Sequence, residues 1–173
     1  MVLGMSLATF TLLHVVISLV GIGAGLIVLF GMIGSKRLPG WTALFLATTV
    51  LTSVTGYFFP VDRILPSHVV GAISLVILAI ALFALYSRQL LGSWRWIYVA
   101  TATLALYLNV FVAVVQSFLK IPSLHALAPT QGEPPFAVAQ GAVLLIFIVL
   151  GVVAIKRFHP ELSAGASRVA QAG

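Results

Sequence analysis

The ligating and acid–base chemistry open to this chain of 173 residues rests on His14, His68, His125 and His159, on the carboxylates Asp62, Glu133 and Glu161, and on a few amides. Imidazole can ligate a metal or haem iron, move a proton, or serve as a hydrogen-bonded structural group. The chain has no cysteine, which removes disulfides, thiolate metal sites and a cysteine nucleophile. It also lacks a Gly-x-Ser-x-Gly elbow, an HExxH pair and a phosphate-binding glycine loop, so it reads as non-enzymatic, with no catalytic residue assigned.

Spacing groups the polar residues further. His14, Ser18, Gly21 and Gly25 recur at intervals of four, three and four, along one face of a helix. Ala102, Ala105, Asn109, Ala113 and Gln116 make a second stripe of small and amide residues. Gly21 and Gly25 let another backbone approach closely, and are expected to pack within the chain rather than to make a dimer. A third segment is rich in hydroxyls, Thr48, Thr49, Thr52, Ser53 and Thr55, which are expected to bond back to their own helix carbonyls rather than to line a permeation path.

The elements that must position these groups follow from composition. Hydrophobic residues make up 61% of the chain and charged ones 7%, against roughly 45–50% and about 25% in soluble domains. Lipid is the solvent such a surface suits. Five apolar stretches, 7–33, 41–59, 67–86, 96–119 and 136–155, are each long enough to cross about 30 Å of hydrocarbon as a helix. They predict an all-α integral membrane protein, a bundle of five transmembrane helices forming one domain over residues 1–157, with a mobile tail at 158–173. The first stretch lacks the basic start of a secretory signal and is taken as a retained span. Pro39-Gly40, Pro66-Ser67 and Pro134-Pro135 are expected to mark turns, with Ser67 capping the third helix. A loop at 120–135 is expected to carry one or two helical turns from Pro122.

Five spans place Lys36, Arg37, Arg88, Arg95, Lys156, Arg157 and Arg168 on one side and only Arg63 and Lys120 on the other. By the positive-inside rule this predicts an N-out/C-in, multi-pass protein of the cell inner membrane, in contact with the lipid bilayer. The net charge of +6 marks no nucleic-acid surface, because the cations sit at helix ends rather than along a stripe.

In that topology His14, Ser18, His68, Asn109, Gln116 and Gln140 fall in the outer half of the membrane, which points to an outward-facing polar pocket for a small ligand, a lipid or a partner subunit. His14 is expected to hydrogen-bond Asn109, Gln116 or Ser18. One alternative is a redox protein holding haem b between His14 and His68, or acting on quinone. Against the pair, His14 lies roughly 10 Å below the outer end of its helix and His68 only about 2 Å into its own. A rim site of His68, His125, Asp62 and Glu133 has ligand types that suit a divalent ion but lacks a diagnostic spacing. The remaining alternative is a small transporter or channel subunit, working as a homo-oligomer or with a partner membrane subunit.

Overall fold

A computed structural model describes residues 2–60 and 66–160. Asp62, Arg63 and Glu161, and the tail beyond residue 160, lie outside them. The described residues are all-helical: α1 (Leu7–Ile33), α2 (Pro39–Thr55), α3 (Pro66–Leu82), α4 (Trp94–Lys120), α5 (Pro122–Leu127) and α6 (Pro134–Arg157). A 3-10 turn, Gly56–Phe58, follows α2, and a π turn, Phe83–Ser87, extends α3. Five of these helices, all but α5, are long and apolar enough to cross a membrane.

The prolines begin helices instead of separating them. Pro39, Pro66, Pro122 and Pro134 each occupy the first helical position, where the N–H that proline lacks would have no intrahelical partner. The helices therefore start up to two residues earlier than hydropathy places them, and Ser67 lies inside α3 rather than capping it. Ser6 does cap α1, its hydroxyl accepting from the Thr9 N–H at 3.1 Å.

Helices α1 to α4 pack as consecutive antiparallel neighbours, α4 closes back on α1, and α6 lies along both α1 and α4. This is an up-down-up-down four-helix arrangement with a fifth helix against one side. Close approach of α1 depends on its glycines. A Cβ at Gly25 would sit 2.5 Å from Leu106 Cδ1 and 2.8 Å from Phe45 Cδ2, and one at Gly21 would sit 3.0 Å from Thr48 Oγ1 and 3.3 Å from Asn109 Nδ2. Both glycines thus face α2 and α4 of the same chain. Helix α6 buries a narrow stripe of Phe147, Gly151 and Ala154, with Gly151 against the Thr103 methyl. Most of the rest of its middle, including Leu144, Ile148, Val149 and Val152, is exposed and apolar. Lipid, unlike water, accepts such a surface at little cost.

Candidate functional site

The sequence-derived site residues distribute over several interfaces. On α1 and α2 they form a polar ladder. His14 Nδ1 lies 2.8 Å from Thr55 Oγ1, and the Thr55 hydroxyl donates to the Leu51 carbonyl at 2.7 Å. With the threonine proton so used, Nδ1–H of His14 is assigned as the donor. One turn deeper, the Ser18 hydroxyl donates to the His14 carbonyl at 2.9 Å and lies 3.3 Å from Thr52 Oγ1. Thr48, Thr49 and Ser53 donate to carbonyls of α2 itself. The partner of the His14 ring is therefore Thr55 rather than Asn109, Gln116 or Ser18, and Ser18 meets His14 only at its carbonyl: α2 approaches α1 most closely along the small residues.

Asn109 is buried below this ladder beside Gly21, and its Nδ2 has no hydrogen-bond partner among the described residues. Gln116 is half-buried on the C-terminal turns of α4. Gln140 belongs to a different interface: from α6 its Nε2 donates to the Phe111 carbonyl of α4 at 3.2 Å. His68 packs against Tyr57, with ring centroids 5.4 Å apart, and its carbonyl accepts from the Tyr57 hydroxyl. His14 instead meets Phe59 edge-on at 5.2 Å. The two imidazoles proposed for haem thus have different neighbours.

His125 Nδ1 approaches the Phe118 carbonyl at 3.3 Å, holding α5 against the end of α4. Glu133 precedes α6. Burial acts to raise its carboxyl pKa, but hydrogen bonds from the Thr130 hydroxyl and nearby backbone N–H groups prevail and hold it below the usual carboxylate range. Among the described residues no three His, Asp or Glu side chains gather into a group able to hold a metal ion, and Asp62 lies outside them.

A chamber of ≈ 290 Å³ occurs at the opposite, basic end of the bundle. Its construction begins at Gly31, where a Cβ would stand 2.6 Å from Leu38 Cδ1. The missing side chain lets Leu38 fold back under α1. The turn is completed by Ser35 in the left-handed region, φ 55°, and by the Lys36 N–H donating to the Gly31 carbonyl at 2.9 Å. Lys36 and Arg37 are thereby left exposed on the chamber lining, just before α2.

The other wall comes from the π turn, where the Arg88 N–H reaches the Phe83 carbonyl and the widened backbone presents Leu85 and Tyr86. Gln89 and Leu90 follow with φ 49° and 62°, and Leu90 is buried in the wall. Left-handed backbone at a non-glycine residue costs on the order of 1–3 kcal/mol and persists only where surrounding structure imposes it. Tyr98 and Thr42, both buried, bring their side chains together inside the chamber. Phe158 packs on Tyr98, ring centroids 6.3 Å apart, and the next N–H, of His159, donates to Ser35 Oγ at 2.8 Å. The arrangement can hold an apolar body, offer it two hydroxyls, and meet a negative group at its mouth.

From the sequence, Lys36 and Arg37 serve only to orient the chain and Tyr98 has no part in a site, so this chamber is passed over. A signal was available: Tyr98 continues the stripe of Ala102, Ala105 and Asn109 at helical spacing, which puts it on the buried face of α4. Compared with family models, curated proteins and solved structures, the chain matches none.

Proposed function

We propose that this chain is a non-enzymatic, five-span protein of the cell inner membrane, N-out/C-in, that binds the apolar body of an amphiphilic ligand in the chamber at its basic end. The observation that carries this is a pair of hydroxyl-bearing side chains, Tyr98 and Thr42, inside an otherwise apolar recess rimmed by cations. Binding sites for small molecules have this composition: mostly apolar walls, with a few polar groups that fix orientation. The unusual backbone around the recess, a π turn and left-handed Ser35 and Leu90, adds support, since such features concentrate at functional sites.

The orientation draws on the same end. Lys36, Arg37, Arg88, Arg95, Lys156 and Arg157 all lie in the turns and helix ends there, where cytoplasmic loops carry their excess of positive charge. Reporter fusions should find residues 36 and 88 in the cytoplasm and the first residues outside; both termini on one side would defeat the topology.

For the chamber, Leu85→Trp should fill the recess from a half-buried position in its wall. Protein purified in mild detergent is expected to retain a co-extracted amphiphile, detected by mass spectrometry, and the variant to lose at least nine-tenths of it while keeping its helical circular dichroism. Equal retention by both proteins would show that the recess is not the binding site.

A further inference from the structure

The geometry points to a specific occupant: an anionic phospholipid from the leaflet at the basic end, with its phosphate on Lys36 and Arg37 and an acyl chain inside the chamber. This rests on the chamber being a binding site, and adds the identity of what binds. The lining changes character with depth. Lys36 and Arg37 stand at the mouth, beside the first residues of α2. Thr42 and Tyr98 each lie about 5 Å further in, three or four residues along α2 and α4. Val28, buried in the hydrophobic core, lies about 7 Å from the end of α1. Cation, hydroxyl and hydrocarbon-like surface thus follow one another in the order that phosphate, ester oxygens and acyl chain follow in a glycerophospholipid.

Charge favours the anionic class. None of the described residues at this end is acidic, since Glu133 is at the other end, so no described carboxylate neutralises the mouth. Arg88 is turned onto the Trp94 ring, 5.3 Å from its centroid, which leaves Lys36 and Arg37 as the cations on the lining. The start of α2 adds to the positive field: its N-cap Leu38 supplies no side-chain acceptor, so the helix dipole there is uncompensated by a cap. A free anion would need only the mouth. A zwitterionic lipid would bring its phosphate together with a cationic group, which Lys36 and Arg37 repel.

The test is titration of delipidated, detergent-solubilised protein with phosphatidylglycerol, phosphatidylcholine or inorganic phosphate, followed by native mass spectrometry. Each cation near a membrane surface strengthens anionic-lipid binding by a factor of about five, so phosphatidylglycerol should bind roughly thirtyfold more tightly than phosphatidylcholine. Lys36→Gln with Arg37→Gln, at exposed positions that leave the fold intact, should remove that preference without weakening phosphatidylcholine. Lys36→Arg with Arg37→Lys should keep it. If Leu85→Trp abolishes binding of both lipids while the double glutamine variant still prefers phosphatidylglycerol, the chamber stands and the headgroup assignment falls. If Leu85→Trp binds both lipids like the parent protein, the chamber itself falls. Displacement of phosphatidylglycerol by millimolar inorganic phosphate would overturn the lipid in favour of a free anion.

Discussion

Gly25→Leu is expected to abolish the folded bundle. Helix α1 meets α2 and α4 at this residue, and a Cβ there would already stand 2.5 Å from Leu106 Cδ1 and 2.8–2.9 Å from two carbons of the Phe45 ring. Phe45 and Leu106 are each 1% exposed, so neither can swing away into open space. One added methyl in a full core costs roughly 1–3 kcal/mol, which Gly25→Ala should show as partial destabilisation. Leucine adds three further carbons and must push α1 off its partners, a cost comparable to a total stability of about 5–15 kcal/mol. Gly23 is the internal control: it is exposed, a Cβ there meets nothing within 4 Å, and Gly23→Leu should leave the protein unchanged. Size-exclusion profiles in detergent would compare the three. A monodisperse Gly25→Leu protein with native helicity would show that α1 does not pack as described.

The second large effect is expected at Tyr98, which is 2% exposed and among the largest fully buried side chains. Tyr98→Ala should lower stability by about 3 kcal/mol, the range seen when a buried aromatic is cut to alanine. In the detergent-solubilised bundle the transfer component of that cost is small, because the surrounding apolar tails are as apolar as the core. What remains is lost dispersion contact with Phe158 and the α1–α2 side of the chamber, which the cavity cannot recover. Tyr98→Phe should stay within about 1 kcal/mol of the parent, since the ring stays packed and only one hydroxyl contact is lost. Unfolding by titration with a denaturing detergent separates these outcomes. An alanine variant that unfolds at the same detergent fraction as the parent would remove Tyr98 from the core of this end.

Together the two substitutions probe opposite sides of one design. The centre of the bundle is held by absence of side chain, at Gly21 and Gly25, where backbones approach; the basic end is held open by turns that keep Leu38, Leu85 and Leu90 apart around Tyr98. The proposed ligand binding is placed at the open end because a void there has polar partners to offer, whereas a void at Gly25 would simply lose contacts.

How far the sequence reaches is clear from particular residues. Hydropathy alone marks five apolar helices, because each stretch must satisfy its own backbone and only a helix does so within one segment. The spacing of Gly21 and Gly25 marks a packing face, because side-chain direction in a helix is set by a local period. The prolines mislead as boundaries, since breaker and helix-starter are the same residue distinguished only by which N–H groups lack partners. The partner of His14 is beyond any local rule: Thr55 is 41 positions away, and its selection over Asn109 follows from which helix α1 approaches most closely. The chamber is likewise a tertiary product. Lys36, Thr42, Leu85 and Tyr98 come from four separate segments, and nothing in any one of them specifies the distance to the others; Gly31 and the π turn set that distance by how they bend the chain ends over the bundle.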